Sequence, residues 1–518
     1  MKTVKTVTGR TDHVVVVGAG LAGLSCALHL LGAGRRVTVL ERGTQPGGRA
    51  GVLRSGGYRI DTGPTVLTMP DLLDEALAAG GSSLRERLDL VRLDPAYRAE
   101  FADGTAIDVH SDPDRMEAQI RSVAGPAEAA GYRRLRSWLE KVYRAQMHSF
   151  IDANFDSPLG LLGADLARLA ALGGFGRLGP RIGSFLHDDR LRRIFSFQSL
   201  YAGVAPARAL AAYAVIAYMD TVAGVWFPRG GMHAVPRALA SAAAQAGAGL
   251  RYGRAVVSLE RGPSGRVVAV RTADGGRTPC DAVVITADLP AAHRLLGRRP
   301  RRAVPLRWSP SAFLLHLGTD RRWDRLAHHT LSFGAAWEST FTELTRSGRV
   351  MSDPSLLVTN PTATDPALAP PGRHLHHVLA PCPNLQTGPI DWARTAPAYR
   401  DSLVRELERR GLEGLGEAVV FERVVTPADW LAQGHGAGTP FSAAHTLAQT
   451  GPFRPRNLVP GEENVVLAGC GTTPGVGVPT VLVSGKLAAA RITGGTRATG
   501  ARTVPRDAGR GVRSGARP

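Results

Sequence analysis

Val14-Val-Val-Val-Gly18-Ala-Gly20-Leu-Ala-Gly23 is the stretch that decides the fold. Four β-branched residues end at a glycine turn, and an apolar helix is expected from Leu24 to Leu31, so the order is strand, G-x-G-x-x-G, helix. Gly18 permits the tight turn, Gly20 lets the backbone approach a pyrophosphate, and Gly23 lets the helix pack close to the strand. The N–H groups at the start of that helix would face the phosphates. The pattern predicts a Rossmann-type dinucleotide-binding unit.

The next residues indicate which dinucleotide is bound. A second strand, Arg36 to Leu40, ends in Glu41, close to the spacing of about 20 residues expected of a carboxylate that binds a ribose hydroxyl. Arg42 and the segment Pro46-Gly47-Gly48-Arg49 follow. Adjacent glycines let the backbone approach a second phosphate, and an arginine offers it a planar charged fork. Domains that bind only NAD do not usually need this second site, so the pair of sites favours FAD.

The apolar run from Val14 to Gly34 could also be interpreted as a signal anchor. Its three glycines at turn spacing, together with Ser25 and His29, favour a buried strand and helix instead. The preceding leader, residues 1–12, is polar and has no small-residue cleavage site. We therefore expect a cytoplasmic protein.

Composition limits the classes of partner. With 518 residues and 44% hydrophobic residues, the chain is long enough for two or three domains with a large core. The formal charge of +19 makes nucleic acid and anionic lipid the candidate partners. With only 6% aromatic residues and no nucleic-acid motif, nucleic acid is not expected. The basic tail, residues 493–518, is expected to be disordered.

Metal ligands are not expected. The four cysteines, Cys26, Cys280, Cys382 and Cys470, are far apart in sequence and form no C-x-x-C motif, so reduced thiols are the default. Adjacent histidines such as His328 and His329 point to opposite faces of a strand. The sequence places no acidic or cysteine partner at ligand spacing.

Two apolar stretches in the middle of the chain need separate interpretation. In residues 158–185 many leucines alternate with arginines and glycines, which is too interrupted to span a bilayer. The stretch fits either a segment lying on a membrane surface or a lid packed on its own domain. Leu210 to Met219 predicts a short apolar helix in the core or in the wall of a tunnel.

Several shorter patterns complete the prediction. Hairpins are expected around Gly56-Gly57 and between Tyr97 and Val109. The turn containing Gly63 is expected beside the cofactor. Near the C-terminus a strand ends at Gly469, a glycine- and proline-rich loop runs to Gly477, and a helix starts near Pro479. Backbone N–H groups of this loop could reach a flavin ring and stabilise its reduced anionic form.

Four blocks of this sequence resemble the bacterial-type phytoene desaturases, carotenoid-forming members of the FAD-dependent amine-oxidase-like superfamily. The resemblance covers roughly residues 13–492, and its last block is the most specific. The blocks are 17–65 (with Glu41 and Pro46-Gly-Gly-Arg-Ala), 195–231 (ending Gly224-Val-Trp-Phe-Pro-Arg-Gly-Gly231), 326–330 with 379–383, and 438–485 (with Phe453-Arg-Pro455 and Gly469-Cys-Gly-Thr-Thr-Pro-Gly-Val-Gly477).

The resemblance implies an α/β fold: a Rossmann-type FAD-binding domain assembled from discontinuous segments, with an inserted α+β substrate domain. The FAD-binding domain would comprise residues 13–75, 226–290 and 431–492, and the substrate domain residues 76–225 and 291–430. The residues expected at the FAD site are Gly18, Gly20, Gly23, Glu41, Arg42, Gly48, Arg49, Gly63, Val257, Gly469, Pro474, Gly475, Val476 and Gly477.

The resemblance also implies a substrate and a reaction. The substrate would be a long isoprenoid hydrocarbon, phytoene, drawn from a membrane to which the protein is peripherally bound. Successive two-electron dehydrogenations would lead towards lycopene or neurosporene, with quinone or oxygen as electron acceptor. Another carotenoid-modifying flavoprotein of the family (a hydroxycarotenoid or diapophytoene desaturase, or a ketolase) and a non-redox isoprenoid-binding protein of the same fold remain alternatives.

No catalytic residue is assigned from the sequence. A hydrocarbon has no polar handle, so no triad or metal is needed, and the protein must orient the chain and accept a proton. Asp61 and Asp220 are candidates for the proton acceptor, although a structural role is favoured for each.

Overall fold

The strand that opens the sequence pattern becomes the centre of a parallel sheet. The computed structural model describes residues 5–298 and 304–495. In these residues the strands are β1 (His13–Val17), β2 (Arg36–Leu40), β3 (Val52–Ser55), β4 (Tyr58–Asp61), β5 (Leu90–Arg92), β6 (Tyr97–Glu100), β7 (Ala106–Val109), β8 (Trp226–Pro228), β9 (Gly249–Arg251), β10 (Val256–Arg261), β11 (Val267–Thr272), β12 (Arg277–Pro279), β13 (Ala282–Ile285), β14 (Ser311–Thr319), β15 (His329–Ser332), β16 (Leu356–Thr359), β17 (His374–Cys382), β18 (Val419–Val425) and β19 (Val465–Leu467).

The helices of the described residues fall into a few long ones and many short ones. The α-helices are α1 (Leu21–Gly32), α2 (Pro70–Ala79), α3 (Leu84–Arg87), α4 (Pro113–Ala124), α5 (Pro126–Gln146), α6 (Ala164–Ala171), α7 (Leu178–Gly183), α8 (Asp189–Ile194), α9 (Ala214–Tyr218), α10 (Ala234–Gln245), α11 (Leu289–Leu295), α12 (Glu338–Thr342), α13 (Trp392–Arg409), α14 (Leu415–Ala418), α15 (Pro427–Ala432) and α16 (Val478–Thr493). Single 3₁₀ turns lie at Pro158–Leu161, Phe197–Leu200, Ala211–Tyr213, Pro361–Ala363, Pro366–Leu368, Gly436–Gly438, Leu447–Gln449 and Gly451–Phe453, and π-helical turns at Met147–Ile151, Met219–Ala223 and Glu343–Ser347.

The parallel sheet has the strand order β19-β13-β1-β2-β9. β1 pairs in parallel with β2 on one side and with β13 on the other, so Val15 lies between Thr38 and Val283. Alternate residues of these strands face opposite layers. Val14 and Val16 pack in the cluster that contains helices α1, α10 and α16, whereas Val15 and Val17 pack against the antiparallel sheet β10-β11-β12.

This arrangement confirms the α/β fold class and most of the predicted elements. β2 and both hairpins lie where the sequence predicts them. Helix α1 begins at Leu21, earlier than the expected Leu24, because the turn passes directly into the helix. The short strands β9 and β12 were not predicted, since three residues carry no readable alternation.

A second, seven-stranded sheet has the order β18-β14-β17-β16-β15-β6-β7. Its strands are antiparallel except that β15 runs parallel to β6. β14 is buried along its whole length and packs with helix α13 in a separate apolar cluster. Residues 97–109 and 311–425, distant in sequence, therefore build one sheet beside the parallel one.

The structure describes the N-terminal leader from residue 5 onward and the C-terminal tail only as far as residue 495. In the leader, Val7 is buried and its N–H donates to the Arg491 carbonyl at 2.9 Å. Most of the predicted basic tail lies outside the described residues, which end at 495. Among the described residues, no helix is both long and apolar enough to cross a bilayer.

Candidate functional site

One elongated cavity connects the parallel sheet to the apolar middle segment. Its volume is about 1150 Å³. One end is lined by the glycine turn after β1 and by the carboxyl end of β2. The other end is lined by apolar side chains from three separate parts of the chain: Leu161, Leu166, Leu169, Phe175, Leu210, Val215, Ile216, Met219, Leu447 and Phe453.

Two glycine segments form the floor of the first end. Gly20 lies beside Gly47 in a bridge-like pairing, and the Gly47 N–H donates to the Ala19 carbonyl at 2.9 Å. A Cβ on Gly48 would lie 3.3 Å from the Gly20 Cα, so side chains here would narrow the space between the two glycine segments, which we call the glycine cradle. Gly20 is also the N-cap of α1, which presents its first N–H groups to the cavity. These features fit a pyrophosphate.

Glu41 is fixed by the backbone around the turn. Its carboxylate accepts hydrogen bonds from the N–H groups of Ala19 and Gly43, both at 2.7 Å. A carboxylate has about four acceptor sites, so acceptor capacity remains for ribose hydroxyls. The neighbouring Arg42 lines the cavity and donates to the Gln433 carbonyl at 2.7 Å.

Arg49 and Asp288 form a charge pair that the sequence did not indicate. Arg49 Nη2 lies 3.3 Å from Asp288 Oδ2, and the buried Arg49 Nε has no hydrogen-bond partner among the described residues. Burial alone would raise the pKa of Asp288, but the Arg49 charge and the hydrogen bonds from Gly436 N–H and Ser442 Oγ hold that pKa below its ordinary value. A buried donor without a partner in the cavity wall fits an anionic ligand group.

Gly23 and Gly63 act through close packing. A Cβ on Gly23 would lie 2.0 Å from the Gly18 carbonyl oxygen, which confirms that the helix approaches the strand turn too closely for a side chain. Gly23 does not line the cavity. Gly63 does, and a Cβ there would lie 1.9 Å from the Arg49 carbonyl oxygen.

Val257 lines the cavity near the same end. The β10–β11 register passes from Val256 opposite Thr272 to Ser258 opposite Arg271, so Val257 is the extra residue of a β-bulge. A bulged residue is left out of the ladder, which makes its backbone groups available to a ligand.

The C-terminal loop lies along the cavity as predicted. Gly469, Pro474, Val476 and Gly477 line it, and Gly477 is the N-cap of α16. Gly475 does not line it. Its φ is +144°, and a Cβ there would lie 2.0 Å from His445 Nε2, so the glycine lets the loop pack against that ring.

Arg454 supports this loop from behind, a role not inferred from the sequence. It is fully buried, and its Nε donates to the Thr472 carbonyl at 3.0 Å while its Nη2 donates to the Cys470 carbonyl. Because its guanidinium binds two carbonyl groups of the loop, Arg454 holds the loop backbone in place next to the cavity. The sequence Phe-Arg-Pro does not indicate that its arginine is buried, so this role becomes visible only in the folded structure.

The two candidate proton acceptors have different surroundings. Asp61 does not line the cavity, and its carboxylate accepts from the N–H groups of Met232 and His233 at 2.7 and 3.0 Å, a structural role. Asp220 lines the cavity and accepts from the Tyr97 hydroxyl at 3.2 Å. Burial raises the pKa of Asp220 to about 7.

The buried histidines of the seven-stranded sheet do not form a metal site. His316 and His377 have ring centroids 4.7 Å apart, and His328 and His329 4.5 Å apart. In the described part of the chain, the His, Cys, Asp and Glu side chains form no group of three or more that could hold a metal ion.

The residues present fit a flavin dinucleotide. The glycine cradle, the helix N-terminus, the Arg49 Nε and Glu41 occupy one end of the cavity, and the long glycine loop ending at α16 lines it further on. Both regions belong to one cavity, as a ligand that contacts both of them requires.

Comparison with known proteins agrees with this geometry. The family of flavin-containing amine oxidoreductases matches residues 21–493. A phytoene dehydrogenase from Streptomyces griseus is 69% identical over 96% of this chain and 99% of its own length. A zeta-carotene-forming phytoene desaturase from Myxococcus xanthus is 34% identical over 96% of each chain.

Among solved structures, an oxidoreductase from Methanosarcina mazei aligns with a TM-score of 0.59. It is 18% identical and covers 92% of this chain and 99% of its own, so it shows the shared fold alone. With the family match over most of its length, this chain belongs to the flavin-containing amine oxidoreductases.

Proposed function

We propose that this protein is an FAD-dependent phytoene desaturase of carotenoid biosynthesis, an oxidoreductase acting on CH–CH bonds. The observation that carries the proposal is the single cavity that joins a dinucleotide cradle to an apolar, surface-reaching end. The phytoene dehydrogenase and phytoene desaturase relatives support this substrate.

FAD would be held by the residues predicted from the sequence. Gly18, Gly20 and Gly48 would approach the pyrophosphate, Glu41 the ribose, and Val257 the adenine through its backbone. When bound, the flavin supplies two-electron oxidation of a C–C bond. Arg42, Arg49, Gly63 and the loop Gly469–Gly477 complete the proposed site, in which Gly23 and Gly475 act by packing.

The protein's own contribution is burial and orientation of a hydrocarbon. Each Å² of apolar surface removed from water stabilises the complex by about 25 cal/mol, so an apolar tunnel binds phytoene without polar contacts. The wall formed by α9 and its flanking turns would hold the chain lengthwise, and the apolar lining would exclude water from the reacting carbons once the substrate fills the cavity.

The open end of the cavity supports a peripheral membrane location. Leu159, Leu162, Phe175, Leu447 and Phe453 are exposed, with side-chain exposures between 50% and 72%, and the last three line the cavity mouth. We call these five residues the apolar rim. Arg168, 70% exposed, stands beside it. Apolar side chains flanked by arginine suit insertion into a lipid surface, from the cytoplasmic side.

We propose that the segment 158–185 combines two roles, a lid and a membrane contact, that the sequence left as alternatives. Leu169, Leu178 and Ile182 are buried against the substrate domain, as in a lid, while Leu159 and Leu162 project outward. We propose that quinone or oxygen reoxidises the flavin. We also propose that residues 13–75, 226–290 and 431–492 form the FAD-binding domain and residues 76–225 and 291–430 the substrate domain, a division supported by the membership of the two large sheets.

The decisive experiment is conversion of phytoene in liposomes. Purified protein, FAD and a quinone are mixed with phytoene-loaded liposomes, the lipid is extracted, and the products are separated. We expect long-wavelength polyene absorbance bands whose positions count the conjugated double bonds. The control is the same protein stripped of FAD, which should leave phytoene unchanged.

Two results would change the proposal. Unchanged phytoene in the presence of bound flavin and quinone would reject the substrate, and hydroxylated or shorter carotenoids would be tried next. A colourless protein that does not bind FAD would instead favour a non-redox isoprenoid-binding protein.

A further inference from the structure

The cavity wall contains three carboxylates among the described residues: Glu41, Asp220 and Asp288. Two of them have firm partners at the dinucleotide end. Glu41 accepts from two backbone N–H groups, and Asp288 is paired with Arg49. Asp220 follows Met219 in the chain and lies among the apolar residues of the tunnel wall. Within the described residues it has no cationic partner at salt-bridge distance, and it is only 3% exposed.

The groups facing Asp220 are phenols. Tyr97, from β6, donates its hydroxyl to Asp220 Oδ2 at 3.2 Å. Tyr201, from the loop after the Phe197–Leu200 turn, lies beside both residues and lines the cavity. Tyr97 and Tyr201 are thus the titratable groups that face the carboxylate, and burial raises the pKa of both phenols, so each remains a neutral donor.

Asp220 also occupies an irregular turn. It lies in the π-helical turn Met219–Ala223, which follows α9 directly. π-Helical turns are rare and are frequently found at functional sites, because the extra residue re-aims a side chain. Here the turn places a carboxylate in a mostly apolar wall, beside the Tyr201 phenol.

Two connections link the segments around Asp220 to the residues proposed to hold the flavin. The Trp226 N–H donates to the Leu67 carbonyl at 2.8 Å, and Met219 packs on Met69, which ties this turn to the 63–69 segment beside Gly63. On the other side, the His445 N–H donates to the carbonyl of Ala202, the neighbour of Tyr201, at 2.9 Å. His445 in turn packs against Gly475 of the C-terminal loop.

We propose that Asp220 is the proton acceptor of the desaturation, with Tyr97 as its positioning residue; this inference rests on the proposed function. When bound, the oxidised flavin would accept one hydrogen of the substrate as hydride, together with the electron pair of its C–H bond. The adjacent carbon loses its proton to a carboxylate oxygen of Asp220, and the electron pair of that C–H bond becomes the new π bond. The proton later passes from Asp220 to solvent.

The chemistry of the site agrees with this role. Loss of hydride makes the adjacent C–H strongly acidic, so a carboxylate is a sufficient base. Burial raises the pKa of Asp220 to about 7, which suits a group that must both take and release a proton near neutral pH. The Tyr97 hydroxyl favours the charged form and thereby lowers this pKa.

The test is the rate at which phytoene reduces bound FAD in a single turnover under anaerobic conditions. This rate is measured as the loss of flavin absorbance. Asp220→Asn keeps the shape but cannot accept a proton, and we expect its rate to fall about 100-fold or more. Asp220→Glu should restore part of the rate. Asp324→Asn, on a side chain that is 83% exposed, is the matched control and should react like the wild type.

The pH profile separates a chemical role from a structural one. The wild-type rate should rise with pH around 7, because only the ionised carboxylate accepts a proton. Tyr97→Phe, which keeps the ring and removes the hydroxyl, should shift that midpoint upward. The residual rate of Asp220→Asn should be independent of pH over the same range.

A second readout does not depend on turnover. Infrared difference spectra of wild type minus Asp220→Asn, recorded against pH, should show a protonated carboxyl band that disappears with a midpoint near 7 and moves upward in Tyr97→Phe. FAD binding and thermal unfolding of each variant establish that it is folded.

The outcomes discriminate between the two proposals. If the wild type reduces no flavin with phytoene, the proposed function fails. If the wild type reacts and folded Asp220→Asn reacts equally fast, or if the pH midpoint does not move in Tyr97→Phe, only the assignment of Asp220 is overturned.

Discussion

At the scale of single residues, the glycines of the first turn divide into two kinds. Gly20 has ordinary backbone angles, and a Cβ added there would make only ordinary van der Waals contacts, at 3.9–4.0 Å, with Gly47 and Gly48. Gly23 faces a backbone oxygen at 2.0 Å from the same added atom. The motif spacing predicts both roles, and the structure confirms the close packing at Gly23, whereas the ligand role of Gly20 stays a prediction.

This difference predicts opposite effects for two identical substitutions. Gly20→Ala should leave the unfolding temperature of the FAD-free protein unchanged but weaken FAD binding at least 10-fold, because the new methyl group occupies the pyrophosphate approach. Gly23→Ala should destabilise the FAD-free protein by about 1–3 kcal/mol through overpacking. Thermal unfolding and flavin-fluorescence titration measure the two effects. Equal loss of stability in both variants would contradict the assignment.

At the scale of elements, the seven-stranded sheet holds an unusual set of buried histidines. Burial lowers the pKa of His328 to about 3 and of His376 and His377 to about 4. His316 in β14 has its pKa lowered well below the ordinary value, by burial and then by His377 and Arg423. Neither ring nitrogen of His316 has a hydrogen-bond partner among the described residues.

These histidines should make the sheet sensitive to acid. Because the pKa of each is lower in the folded than in the unfolded chain, the unfolded chain binds protons first as pH falls through about 6.5, and stability is lost from there downward. Chemical unfolding from pH 7.5 to 5 should show this decline. His316→Leu should be neutral or stabilising at pH 7.5, since it removes an unsatisfied buried polar group, and should reduce the slope.

The control for this effect is His374, which is only partly buried at the end of β17. His374→Leu should change the pH dependence less than His316→Leu does. Asp61 and Asp220 have raised pKa values in the folded chain, so their protonation increases stability as pH falls, opposite to the effect of the histidines. Both histidine variants must therefore be compared with the wild type at each pH. An unchanged slope in His316→Leu would show that this histidine is not a source of acid sensitivity.

At the scale of the whole molecule, charge and apolar surface act together. The chain carries a formal charge of +19, and three of the five residues of the apolar rim line the cavity mouth. Basic residues near an anionic lipid surface each contribute about 1 kcal/mol, an attraction that salt screens, whereas apolar insertion is insensitive to screening. The balance between these two terms sets how the protein reaches its substrate.

Pelleting with vesicles measures that balance. Binding to vesicles of anionic lipid should weaken as salt rises, and a salt-resistant fraction should remain. The double variant Leu159→Ser/Leu162→Ser should lose this salt-resistant fraction, because it removes two highly exposed leucines of the rim. Val420→Ser, on β18 away from the cavity and 49% exposed, should bind like the wild type. Equal binding of all three proteins would reject the rim as the membrane contact.

The sequence by itself determined the parts of this protein that depend on local spacing. The β1–turn–α1 unit, Glu41 and the loop up to Gly477 were all predicted, because tight turns and helix starts require particular residues at fixed intervals. The FAD-binding fold class could be predicted for the same reason. The individual FAD contacts remain predictions.

Only the tertiary structure decided which distant residues meet. The pairing of Arg49 with Asp288, the support of the loop by Arg454, and the placement of Asp220 beside Tyr97 depend on contacts between segments that are far apart in the chain or on burial. No local pattern encodes such contacts, since they arise from the packing of two sheets around one cavity. The same packing made Asp61 a structural hydrogen-bond acceptor and left Asp220 in the tunnel wall, a distinction between two aspartates that sequence spacing does not contain.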